Sequence, residues 1–321
     1  MKVLTNKPER KMKRLFVAVA AFALAAGIAS AQDMSAAVET FNMGAQTLES
    51  NKVEALNQFK SALAQFEACA EEEAAEMVAQ CKKIIPQTMV SIAKEQINDA
   101  LYDEALETLK EATGVAEGYG QEELAVEAKD LVPTVWSRKG ASLLKAKDYV
   151  GAAAALKAAV TLTPEDGQNQ LMYGQALMQA GDNDGAVAAL EAAAAAGKAD
   201  QANKLLSNLF LKEGMALVKA NKSAEAITAL EKANSYVESA NAYKLIASAN
   251  TKLGKNKAAI EAYKKYLEVS PDAKDAADVM FTIAATAQKA SDKATAIEYY
   301  KKLSGTKYGE QAKAQLAALQ K

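Results

Sequence analysis

The chain has no histidine, one tryptophan, two cysteines and five prolines in 321 residues. Without histidine there is no Ser-His-Asp or Cys-His nucleophile system, no imidazole base and no histidine metal ligand. Two cysteines alone are too few for a zinc site. Five prolines and sixteen glycines argue against an all-β sandwich and against a collagen-like chain. Glycine-rich phosphate loops are absent. Aromatic residues make up only 6% of the chain. What fills the apolar half instead is alanine, with 72 copies. Alanine is the strongest helix former and a weak strand former. The composition therefore reads as helical, with many small side chains where helices meet.

The N-terminus reads as an export signal. Lys7, Arg10, Lys11, Lys13 and Arg14 precede an apolar run from Leu15 to Ile28, which ends at Ala29-Ser30-Ala31. A basic start, a short apolar core and an Ala-x-Ala site describe a secretory signal peptide over 1–31, cleaved after Ala31. The run falls short of the roughly twenty residues that span a bilayer. No later stretch would insert stably in a membrane. Residues 1–31 hold six Lys/Arg and one Glu, so the remainder has 32 Lys/Arg against 39 Asp/Glu, net −7. That balance argues against nucleic acid, which needs a positive field. The location expected is periplasmic or otherwise exported, in a Gram-negative cell envelope.

In an oxidising compartment, Cys69 and Cys81 invite a disulfide. The alternative is two thiols on helices. Unbroken helix would hold them about 18 Å apart, so a bridge needs a turn between them, near Glu71-Glu72-Glu73.

The body of the chain repeats. From Trp136 it reads Gly140, Asp148-Tyr149, Ala152, Leu156, Ala159 and Pro164. Gly174, Gly181-Asp182, Ala186, Leu190 and Ala193 follow, 34 residues on. Each unit is an amphipathic helix, a polar turn and a second amphipathic helix. Small residues let the two backbones approach, a leucine fills the space beside them, and Pro164 stops the second helix. Seven second helices carry the set Ala-x3-large-x2-small or apolar. They are Ala55/Phe59/Ala62, Ala105/Leu109/Ala112, Ala152/Leu156/Ala159, Ala186/Leu190/Ala193, Ala226/Leu230/Ala233, Ala259/Tyr263/Tyr266 and Ala296/Tyr300/Leu303. Pro86 and Pro133 are 47 residues apart, as are Ala105 and Ala152. The extra residues read as longer first helices, kinked or restarted at the prolines.

A 34-residue helix–turn–helix period with small residues at the crossing resembles the tetratricopeptide-repeat family. The departures are mild: Lys139 and Leu143 stand where the family favours Leu and Tyr, and Ala93, Ala247 and Ala284 replace the first-helix glycine. The resemblance implies an all-α fold, an α-solenoid of about seven helix–turn–helix repeats over 32–304. The amphipathic segment 305–321 is then a C-terminal capping helix. An alanine-rich four-helix bundle is the competing architecture.

No catalytic constellation stands out, and no enzyme activity, cofactor or metal is expected. Asp182-Asn183-Asp184-Gly185 faintly suggests a calcium loop, but Ala193 stands where the loop's glutamate belongs, so an inter-helix turn is the better reading. What the resemblance implies is a non-enzymatic scaffold, binding protein or peptide partners through a concave face lined by first helices. On that face Gln168, Leu171, Met172, Gln175 and Met178 are expected, then Leu211, Met215, Lys219 and Lys252. Asn208, Val218, Asn241, Lys244, Ser248, Phe281, Gln288 and Lys289 extend it. Methionines suit adaptable surfaces and equally suit a core. Lys145, Lys219, Lys252 and Lys289 sit near first-helix ends, where the helix dipole alone would favour them. The Lys-and-Asn carboxylate clamp of chaperone-binding members is not reproduced in register. A self-associating structural protein is the alternative from another class. A carbohydrate-binding or enzymatic envelope protein is poorly supplied, with Trp136 in a slot that normally packs inside.

Overall fold

In the computed structural model, residues 30–69 and 72–319 are described. The predicted leader before Ser30 lies outside them. Among the described residues there are helices and turns and no strand. No helix among them is long and apolar enough to cross a membrane.

The helices are α1 (Ser30–Thr47), α2 (Lys52–Ala68), α3 (Glu72–Asn98), α4 (Tyr102–Gly118), α5 (Glu122–Lys145) and α6 (Tyr149–Leu162). They continue with α7 (Gly167–Ala180), α8 (Asn183–Ala193), α9 (Ala199–Lys219), α10 (Ser223–Tyr236), α11 (Ala240–Lys252) and α12 (Asn256–Val269). The last are α13 (Ala276–Lys289), α14 (Lys293–Lys302) and α15 (Gly309–Leu319). They form two compact units. Of the described residues, the first holds those up to Lys147 and 154–163, the second 148–153 and those from Pro164 on.

In the first unit each helix from α1 to α5 packs on the next, and α3 also meets α5. Its core is built on Phe41, Phe59, Phe66, Ile85, Met89 and Leu109, all fully buried. Phe41 and Phe59 lie ring to ring at 5.3 Å. Gly44 allows this, since a Cβ there would sit 2.8 Å from the Phe59 ring. α3 and α5 are the long first helices expected, but neither restarts at its proline: Pro86 and Pro133 lie inside single helices. Each proline removes one backbone donor. Around the buried Pro86, packing of Ile85, Met89 and Val90 holds the helix together regardless.

Of the two alternatives open for Cys69 and Cys81, the structure does not have the disulfide. Cys69 caps the end of α2, its Sγ donating to Gln65 O at 3.3 Å, while Cys81 is buried inside α3.

In the second unit successive helices pack pairwise from α7 to α15, and the first helices α7, α9 and α11 also adjoin one another. The small-residue crossings are as the sequence suggests. A Cβ on Gly174 would lie 2.6 Å from Leu190 Cγ, and one on Gly214 would lie 2.5 Å from Leu230 Cγ. In the first unit Gly140 stands in the same relation to Leu156, at 2.4 Å. Ala152, Ala186 and Ala226, the leading alanines of the second helices, have no exposed surface.

The turns inside the repeats share one device. A residue with positive φ follows the first helices α3, α5, α7, α9, α11 and α13, at Ala100, Lys147, Gly181, Asn221, Gly254 and Ser291. In all of these but the Lys147 turn the next amide reaches back five residues, as Asp182 N does to Leu177 O at 3.0 Å and Lys222 N to Leu217 O at 2.9 Å. This is the Schellman closure, for which glycine is the natural residue. Asp182 then accepts from Gly185 N at 2.9 Å and starts α8, so the faintly calcium-like segment is a helix cap. Lys147 adopts φ 63 with a Cβ, a conformation costing an L-residue roughly 1–2 kcal/mol. Glycine's freedom in the unfolded chain returns about half of that. Lys147→Gly is expected to stabilise the chain by about 0.5–1 kcal/mol in urea unfolding. No gain would mean the turn relaxes in solution.

Between α8 and α9 the chain forms a π-type turn at Ala194–Lys198, with Gly197 at φ 85. Gly167 accommodates it, because a Cβ there would lie 2.4 Å from Ala196 O.

Candidate protein-interaction face

Positions on a first helix divide by what they meet. In α7, Asp166 caps the helix by accepting from Gln168 N at 2.9 Å and Asn169 N at 3.0 Å. That fixes the rotation of the helix, and Gly174 then turns toward Leu190. Gln168, Met172, Gln175 and Gln179 fall on one other side, exposed or half-buried. In α9 the buried side carries Ala202, Leu206, Phe210 and Gly214. At helical spacing on its opposite side stand Lys204, Asn208, Lys212, Met215 and Lys219, all exposed. In α11 the buried side is Ala242, Ile246, Ala249 and Asn250, and Asn241, Lys244 and Lys252 are exposed.

The predicted face residues therefore separate into two groups. Leu171 is only 4% exposed and belongs to a core cluster with Leu190, Ala202 and Leu206, so it is no part of the face. Met178 is half-buried against that cluster and against Leu177 and Ala186, which makes it core as well. Leu211 bridges the clusters under α9 and α11, and Val218 packs in the second of them. Gln168, Gln175, Met172, Met215, Lys219 and Lys252 remain outward, with Met215 39% exposed.

In α13 the expected face is covered from within the chain. Phe281 stacks on Tyr308 at 4.6 Å, and Gln288 Oε1 accepts from Tyr300 Oη while its Nε2 donates to Gln315. Tyr308, Leu316 and Leu319 also pack on the core of that repeat. The C-terminal helix thus closes the last pair, and Phe281 and Gln288 are not available to a partner.

The electrostatics follow the same division. Asp275 accepts from Lys244 Nζ and Tyr266 Oη, and these bonds, the lysine's first, hold its carboxyl below the usual range. The same contact raises the Lys244 ammonium. Burial, then the bond to Glu191 at 2.6 Å, pushes the Tyr236 phenol up to about 12. These groups tie helices together. Among the described residues no cluster of three or more acidic or cysteine groups could hold a metal.

Sequence reasoning missed Lys204 and Lys212. Their signal was present: 204, 208, 212, 215 and 219 follow the helical period from Lys204 to Lys219.

Family comparison places two tetratricopeptide-repeat matches on the chain, over residues 143–209 and 211–277. No curated protein matches it. Among solved structures, it is similar to MamA from Desulfovibrio magneticus RS-1, with 19% identity, 53% of this chain and 92% of that one covered, and a TM-score of 0.30. The Pseudomonas aeruginosa protein pilF is 14% identical over 74% of this chain and 98% of its own, TM-score 0.31. YrrB, described as a TPR protein with an unusual peptide-binding site, is 17% identical over 58% and 86%, TM-score 0.31.

Proposed function

We propose that this chain, which matches tetratricopeptide repeats over residues 143–209 and 211–277, is an exported, soluble, non-enzymatic scaffold of a bacterial cell envelope. It binds protein or peptide partners across the outward side of α7, α9 and α11. The observation that carries this reading is the two-sidedness of those helices. Their buried sides are closed by alanine and leucine, while their outward sides offer amides, methionines and lysines to solvent. Amide groups bond a peptide backbone, and a flexible thioether adapts to varied side chains. Repeat arrays present extended surfaces of this kind. Export rests on the basic, apolar and Ala-x-Ala pattern of residues 1–31.

The test uses the full chain, with a photo-crosslinking amino acid at position 215 or, as control, at 301 on the exposed side of α14. Crosslinked species are expected in the periplasmic fraction from position 215 and not from 301. Equal crosslinking from both would remove the face. Crosslinks confined to the cytoplasm would remove the export.

A further inference from the structure

Four lysines on this face have no acidic partner. Lys204, Lys212 and Lys219 stand along the outward side of α9, and Lys252 ends α11 beside it. All four are exposed, and none takes part in the ion pairs of the described residues, which use twelve other lysines. The adjoining α7 has no charged residue at all. In line with the row stands Asp200, exposed at the start of α9 and in none of those ion pairs, and no acidic side chain follows it at 204, 208, 212, 215 or 219.

Helix-end placement accounts for Lys219 and Lys252, each in a last turn. It does not account for Lys204, in the second turn of α9, nor for Lys212 at mid-helix, where the dipole gives a cation nothing. A row of unpaired ammonium groups over uncharged amides is complementary to a carboxylate-bearing chain.

We propose that the occupant of this face is an acidic, extended segment of a partner protein. The proposal rests on the reading that the face binds partners and adds what they carry. Lys204 and Lys219 are separated by about 22 Å of helix, which an extended chain covers in about seven residues. The steps from Lys204 to Lys212 and on to Lys219 are about 10–12 Å each. An extended chain meets that spacing with a carboxylate at every third or fourth residue. Glutamine amides beside the lysines are free to bond its backbone.

The test is fluorescence anisotropy of the intact chain with a labelled peptide of about twelve residues carrying glutamate at every third position. A glutamine-for-glutamate counterpart is the comparison. The glutamate peptide is expected to bind, and to weaken at least tenfold between ~50 and ~300 mM salt. Lys212→Glu with Lys219→Glu should weaken it about tenfold or more. Lys301→Glu should leave it unchanged, and circular dichroism should show all variants equally helical. Equal binding of the glutamine peptide would overturn the acidic preference and leave a face that binds peptides. If neither peptide binds while position 215 still crosslinks in the envelope, the acidic occupant is wrong and the scaffold reading stands. If position 215 also fails, both fall.

A second copy is the remaining competitor, since residues 32–147 carry 11 Lys/Arg against 20 Asp/Glu. Concentration-dependent self-association in sedimentation, abolished by the same two substitutions, would put a second copy on the face and overturn the proposal.

Discussion

Leu190→Ala is expected to cost about 2–5 kcal/mol and to reverse the sign of a second substitution, Gly174→Ala. Leu190 has no exposed surface, and its Cγ occupies the space a Cβ on Gly174 would need. In the native background, Gly174→Ala brings a methyl to 2.6 Å of that atom. The branch carbon of a buried leucine cannot swing aside as a chain end can, so overpacking of about 1–3 kcal/mol outweighs the helix propensity gained, about 1 kcal/mol. Once Leu190 is alanine the conflict disappears and the propensity remains. Gly174→Ala should then stabilise, by up to ~1 kcal/mol. Urea unfolding of the four proteins measures this coupling directly. Additive effects would show that the two helices do not cross at these residues.

Cys81 should be almost inert in the folded chain. Burial, with the nearby Glu67 carboxylate adding to it, pushes its thiol up to about 12 from a model-compound value of 9.0. Only the thiolate reacts with disulfide reagents. At pH 8 the thiolate fraction alone predicts labelling about a thousandfold slower than for the unfolded chain. Access to the reagent slows it further. With Cys69→Ser removing the other thiol, labelling of Cys81 becomes a clock for opening of the first unit. Equal rates with and without denaturant would place Cys81 at the surface. The same shift sets a direction for alkaline pH. The folded state keeps the proton where the unfolded state loses it. Stability from this group is therefore complete below about 9 and is lost as pH rises toward about 12.

Much of the repeat was legible because its packing code uses extremes of size. Gly140, Gly174 and Gly214 against Leu156, Leu190 and Leu230 leave little choice of geometry. The face was harder. A first helix in a stack is buried toward its own partner and also toward neighbouring first helices. Leu171 and Met178 satisfy the helical period as well as Met172 and Met215 do, and only neighbouring helices decide which side each meets. Pro86 and Pro133 left open whether the long first helices restart. Local chemistry alone does not decide between a kink and a break, and both helices run on through their prolines. The cover over Phe281 depends on Tyr308 and Gln315 returning from beyond α14, which no spacing in the sequence reports.

The run of α9 before Gly214 bears on how such a chain changes length. From Gly140 to Gly174 the step is 34 residues, and from Gly174 to Gly214 it is 40. Yet a Cβ on Gly174 or on Gly214 would fall 2.6 or 2.5 Å from the Cγ of Leu190 or Leu230, so the surplus has left the crossings untouched. It is taken up mostly by α9, which runs from Ala199 to Gly214 where α7 runs only from Gly167 to Gly174. Insertions between one crossing and the next shift the numbering of everything downstream while each crossing stays as it was. Copies of the unit can therefore drift in length independently, and aligning them by a fixed period would misplace α9 while aligning them by their glycine–leucine contacts would not.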